Sequence, residues 1–125
     1  MRRLVLTTLA ALAVEAQAAS YSLQRISHYN AVRAQTDRTP KMSACGPTRP
    51  GQIALSRDLL RQVGCGASVR VTMNGKSQVY VVNDTMNSRY RRTADILVSR
   101  VSTARKLGVS KGTLTVLQKG RPYRG

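Results

Sequence analysis

Short stretches of alternating apolar and polar residues run along this chain, separated by turn-forming residues, and the pattern predicts a mainly β protein. Tyr21 to Tyr29 alternates weakly and reads as one strand ending near Asn30. Ala31 to Pro50 is rich in Thr, Ser, Pro and Gly and reads as a long surface connection. The apolar run Ile53 to Leu55 leads to Ser56, a helix-capping residue, and then to Asp58, Leu59, Leu60 and Val63 in a brief helix closed by Gly64. Val69 and Val71 alternate with Arg70 and Thr72. Asn74-Gly75 is a strong hairpin signal, so Val79 to Val82 returns antiparallel and delivers Asn83 and Asp84 at its end. The polar, basic loop Thr85 to Thr93 precedes a strand over Ala94 to Val98 that carries Asp95 within it. A second helix opens at Ser99 or Ser102, turns Ala104 and Leu107 inward and ends at Gly108, and Thr113 to Gln118 forms the last strand. About six short strands and one or two short helices suggest a small barrel, a fold that removes open sheet edges.

The first 18 residues do not fit this scheme. Arg2 and Arg3 precede an apolar run from Leu4 to Val14, followed by Ala16-Gln17-Ala18 as a small-x-small cleavage signal. The run is well short of the ~20 residues of a spanning helix, so residues 1–18 are expected to be a signal peptide. Residues 19–125 are then one domain that is exported, secreted or periplasmic, with no membrane span and expected as a monomer. Phe and Trp are absent, so the core must come from Val, Leu, Ile, Ala and Met, and a covalent staple would help it. Cys45 and Cys65 supply one if bridged in an oxidising compartment; two free thiols are the alternative. Two Cys and the single His28 lack close metal-ligand spacing, so no metal and no cofactor is expected, and His28 is read as packed or surface rather than catalytic.

Charge then singles out the candidate chemistry. The chain carries 21 Lys and Arg against 5 acids, a formal net charge of +16. With Glu15 in the leader, Asp37, Asp58, Asp84 and Asp95 are the surviving carboxylates. Basic residues are spread along the chain, with a tight cluster at Arg89, Arg91 and Arg92, and no nucleic-acid-reading motif is present. An anionic wall polymer is therefore expected as a partner ahead of nucleic acid, with an Arg-rich composition that has no specific partner as the alternative. Asp58 suits the first turn of its helix. Asp95, ionisable in an apolar strand, needs a partner or a purpose.

The order Ser56-Arg57-Asp58-Leu59-Leu60, Gly64-Cys65-Gly66-Ala67-Ser68-Val69, Val82-Asn83-Asp84-Thr85-Met86-Asn87 and Ala94-Asp95-Ile96 resembles the three-aspartate (3D) domain. That family is related to the rare lipoprotein A barrel and to the catalytic barrel of membrane-bound lytic transglycosylase A. The resemblance runs from about Tyr29 to Leu117 and implies a six-stranded double-psi β-barrel. It also implies cleavage of peptidoglycan glycan strands between N-acetylmuramic acid and N-acetylglucosamine, leaving a 1,6-anhydro sugar. On that match Asp95 is the acid and base, Asp84 its support and Asp58 chiefly structural. One carboxylate suffices because the sugar's own hydroxyl replaces water.

A general acid must hold its proton near neutral pH. Arg89, Arg91 and Arg92 would oppose this, whereas burial and repulsion from Asp84 would favour it. Asn83 is expected to orient Asp84, and Tyr29, Asn30, Thr36, Asp37, Thr85, Arg89 and Arg91 to contact the glycan. The alternative is a wall-binding module that holds an anionic glycan without cutting it. A secreted basic effector that reuses the barrel as a scaffold is a third class.

Overall fold

A computed structural model describes residues 18–30, 42–98 and 108–124. Residues 1–17 of the expected leader, Thr36, Asp37 and residues 99–107 of the expected second helix lie outside the described residues, as does the side chain of Asn30.

Six strands close into a barrel, β1 (Ser20–Asn30), β4 (Gln52–Leu55), β5 (Ser68–Met73), β6 (Lys76–Thr85), β7 (Thr93–Val98) and β8 (Ser110–Gln118), in the order β1-β7-β4-β6-β5-β8. The pairs β1/β7 and β4/β6 are parallel and the others antiparallel. Alternation decides what faces inward. Ile26, Ile53, Leu55, Val69, Val71, Val82, Ala94, Ile96 and Leu114 are all buried in one core. The β5/β6 hairpin turns at Asn74 and Gly75 with φ of 52° and 75°, the paired positive values that a type I′ turn requires.

The helix α1 (Arg57–Val63) buries Leu59, Leu60 and Val63 against the barrel. Ser56 stands at its N-cap, yet its hydroxyl makes no cap bond. It accepts instead from the Thr93 N–H at 3.0 Å, because Ser56 is fully buried and that amide is the donor within reach. The connection expected over Ala31 to Pro50 is more structured at its end than its composition suggests. It contains the two-residue strands β2 (Met42–Ser43) and β3 (Gly46–Pro47), which pair with each other. The Cys45–Cys65 disulfide pins this small hairpin beside the barrel. The C-terminal tail closes over the same region, with Arg121 N–H bonding the Cys65 carbonyl at 2.7 Å and Gly120 N–H the Val63 carbonyl at 2.8 Å.

Candidate functional site

Strand register brings two of the aspartates together. Asp95 on β7 is paired with Ser27 on β1 and with Ala54 on β4, and Ala54 is paired with Asp84 on β6. Asp84, Ala54, Asp95 and Ser27 therefore form one row across four neighbouring strands. Asp84 joins it only through an irregularity. β4 and β6 run in step through Ile53 and Val82, and the register then shifts so that Ala54 faces Asp84 rather than Asn83. Simple alternation from the buried Val82 would send Asp84 into the core. The extra residue resets the alternation, as a β-bulge does, and turns the carboxylate outward. Asn83 is left buried beneath the β2/β3 hairpin, where its Nδ2 donates to the carbonyls of Pro47 at 3.2 Å and Gly46 at 3.4 Å. It holds that hairpin and is not an orienting partner of Asp84.

The row floors an open groove of about 320 Å³ on the outer barrel wall, which Arg25, Tyr29, Thr85, Met86, Asn87 and Tyr90 also line. Asp84 Oδ1 accepts from the backbone N–H groups of Ala44 and Thr85, both at 2.9 Å. Asp95 Oδ1 accepts from the Ser27 hydroxyl at 2.9 Å. Burial pushes the Asp95 carboxyl above the usual carboxylate range, while the Ser27 bond and the charges of His28 and Arg25 pull the other way. The basic side chains facing Asp95 are thus Arg25 and His28 of β1, not the expected arginine cluster. Asp84 does not contribute to the shift either. Backbones two strands apart are separated by roughly 10 Å, and Ala54 stands between the two acids on the groove floor. Tyr29 senses both: burial, then the charges of Asp84 and Asp95, push its phenol well above its ordinary value. It remains a neutral hydroxyl that can donate.

The far wall is Tyr90, with the Arg89 guanidinium 4.9 Å and the Arg25 guanidinium 5.9 Å from its ring centre. Arg89 Nη2 also donates to the Tyr90 hydroxyl at 2.9 Å, and this bond, together with the Arg89 charge, lowers the phenol's pKa. Arg91 Nη1 donates to the Ser88 and Tyr90 carbonyls at 2.9 and 3.3 Å. Arg89 and Arg91 line a neighbouring pocket rather than the carboxylate groove. The Thr85 hydroxyl donates to the Leu55 carbonyl at 3.1 Å and helps fix the rim.

Asp58 lies apart from this groove and supports it indirectly. Its Oδ2 accepts the Arg92 N–H at 3.0 Å, and Arg92 has φ of 47°, a left-handed conformation uncommon outside glycine. Burial would raise the Asp58 carboxyl, but bonds from Ser56 and from the Arg92, Leu59 and Asp58 amides outweigh it and lower the value. Asp58 therefore secures the end of the loop that carries Tyr90. His28 lies near the Gly108 carbonyl, with Nδ1 at 3.4 Å, and its side chain lies outside the groove lining. Arg25, Ser27, Ala54, Met86, Asn87 and Tyr90 were not singled out from sequence. Arg25 and Ser27 share alternation with Tyr29, which was the available signal. No group of three or more His, Cys, Asp or Glu that could hold a metal ion occurs among the described residues.

No family model matches the chain, and neither does any curated protein. Solved structures do resemble it. Expansin from Clavibacter michiganensis superposes with a TM-score of 0.58 at 17% identity, covering 86% of this chain and 53% of that one. A variant of the same expansin in complex with cellohexaose gives a TM-score of 0.55 at 13% identity, with 80% and 51% covered. The Streptomyces papain inhibitor gives 0.54 at 19% identity, with 80% of this chain and 96% of that chain covered. The chain thus spans about half the length of the expansin chains and nearly all of the inhibitor. These neighbours are double-psi β-barrel-like folds, and at such identities the likeness establishes the fold alone.

Proposed function

We propose that the chain is an exported module whose Asp84–Asp95 groove binds a cell-wall polysaccharide. The carrying observation is the pairing of two outward carboxylates with Tyr29 and Tyr90 in one open groove. Carboxylates accept from vicinal sugar hydroxyls, and tyrosine rings offer apolar faces with a polar tip, a combination suited to pyranose rings. The expansin variant that this chain resembles over 51% of that chain's length was solved in complex with cellohexaose, which supports a glycan as the ligand class. Pelleting of the purified protein with peptidoglycan sacculi or cellulose tests the reading: wild type should sediment, and Asp84→Asn with Tyr90→Ala should not. Inhibition of papain without sedimentation would instead align the chain with the Streptomyces inhibitor.

A second reading is glycan cleavage of the lytic transglycosylase type, with Asp95 as acid and base. It is favoured by the burial that raises the Asp95 carboxyl and by the Ser27 hydroxyl that fixes its orientation. Digestion of sacculi would then release 1,6-anhydro products, and Asp95→Asn would abolish them. Sedimentation without such products leaves the binding reading alone.

A further inference from the structure

A second pocket of about 450 Å³ adjoins the groove and shares Arg25 and Tyr90 with it. Its lining contains four cations, Arg25, Arg89, Arg91 and Lys111, and no acid. Three separate segments converge to make it. The β1/β8 register shifts between Leu23 and Ile26, so Gln24 and Arg25 both face solvent, and Lys111 lies on β8 between the partners of Ile26 and Leu23. The third segment is the loop after β6. The Gln24 side-chain amide donates to the Arg91 carbonyl at 2.6 Å, as does the Thr93 hydroxyl at 2.8 Å, and Gln24 N–H donates to the Arg92 carbonyl at 2.9 Å. These bonds lock the arginine-bearing loop onto β1.

Arg25 also faces Asp95 across the groove, but the hydrogen bonds and ring contacts made by the cations bring no acid into the pocket. Arg89 is bonded to the Tyr90 hydroxyl, Arg91 to two backbone carbonyls, and Arg25 and Arg89 both lie over the Tyr90 ring. All these partners are neutral, and a guanidinium has five donors, so donors remain for a ligand. Like charges held together by neutral scaffolding form a preorganised anion receptor.

We propose that this pocket is an anion subsite that takes a carboxylate or phosphate carried by a polysaccharide lying in the adjoining groove, so that the protein selects acidic wall polymers over neutral ones. The selectivity rests on the polysaccharide-binding reading above, whereas the subsite itself does not. The strand would pass from the Asp84–Asp95 floor over Tyr90, with its anionic substituent between Lys111 and the arginines. Electrostatic exclusion sharpens the choice, because the groove's carboxylates repel an anion there and the pocket attracts it.

Titration calorimetry with neutral cellohexaose, an oligogalacturonate and a short poly(glycerol phosphate) tests the selectivity, the last two distinguishing carboxylate from phosphate. The wild type should bind at least one acidic oligomer more tightly than cellohexaose. The double variant Lys111→Gln/Arg89→Gln should lose about ten-fold on that oligomer, Lys111→Gln alone should weaken the same oligomer and leave cellohexaose unchanged, and Lys111→Arg should retain wild-type affinity. A charge-matched control, Arg70→Gln/Lys76→Gln on the exposed β5/β6 hairpin, should have little effect. Equal losses in the control would mean a diffuse field and overturn the subsite, as would equal wild-type affinity for acidic and neutral oligomers. NMR titration with galacturonate and glycerol phosphate separates the two levels. If these shift Lys111 and Arg89 signals in the wild type while no oligomer binds, the subsite stands and the polysaccharide reading fails. No response to either small anion overturns the subsite.

Discussion

Removal of the Cys45–Cys65 bridge is the perturbation whose size follows most directly from the architecture. The cysteines are 20 residues apart, and closing a loop of that length in the unfolded chain is worth about 3 kcal/mol on the chain-entropy model. For a domain of this size each kcal/mol moves the melting temperature by about 4–8 °C, so Cys45→Ser/Cys65→Ser should melt roughly 10–25 °C lower. Hydrogen bonds hold the hairpin independently of the bridge, among them Cys45 N–H to the Asn83 carbonyl at 2.9 Å, Ala44 N–H to Asp84, Asn83 to the Pro47 and Gly46 carbonyls, and Arg121 Nη2 to the Cys45 carbonyl at 3.3 Å. The hairpin of the variant should therefore stay docked when folded but open locally more often. Urea unfolding of oxidised wild type and the double serine variant gives the stability difference, and hydrogen exchange at the Ala44 and Cys45 amides reports the opening. A difference below about 1 kcal/mol, with unchanged exchange, would refute the loop-entropy reasoning and assign the hairpin's stability to its hydrogen bonds.

Three further outcomes follow from the same contacts. Burial raises the Asp95 carboxyl, so the folded state holds this proton more tightly than the unfolded chain. The Asp95 contribution to stability therefore declines as pH rises from the ordinary carboxylate range through the raised folded value, and Asp95→Asn should lack that decline in urea midpoints measured against pH. Asp58 has the opposite sign: its lowered carboxyl stabilises the fold above the unfolded value and loses that effect as pH falls through the folded one, so Asp58→Asn should be destabilised at neutral pH with the deficit closing in acid. At Gly120 a Cβ would meet the Cys65 carbonyl oxygen and lie 2.7 Å from the Ala67 amide nitrogen, so Gly120→Ala should cost about 1–3 kcal/mol in thermal or urea unfolding.

The barrel was legible because its signals are local. The Asn74-Gly75 turn, the alternation of Val69 and Val71, and the Leu59, Leu60 and Val63 face of α1 each act within a few residues, and each element formed where those signals lie. The carboxylates stood out by scarcity and spacing. What escaped depends on which strands become neighbours. The reset at Asn83 arises from β6 lying against β4, and the Ser56 hydroxyl makes no cap bond at the N-cap it occupies because an amide 37 positions away donates to it. The electrostatics of Asp95 were misassigned for the same reason. Arg89, Arg91 and Arg92 are close to it along the chain, but Arg25 and His28 are close to it in space because β1 pairs in parallel with β7.

Ala54, the small residue in the middle of the groove floor, has a consequence for how the site can diversify. The backbones carrying Asp84 and Asp95 belong to a ring of hydrogen-bonded strands without an edge, so the two acids cannot drift nearer or farther. The residue between them is then the one adjustable partition. A methyl group there leaves one undivided groove. A branched side chain would raise a ridge between the two acids and separate their surroundings without moving either backbone.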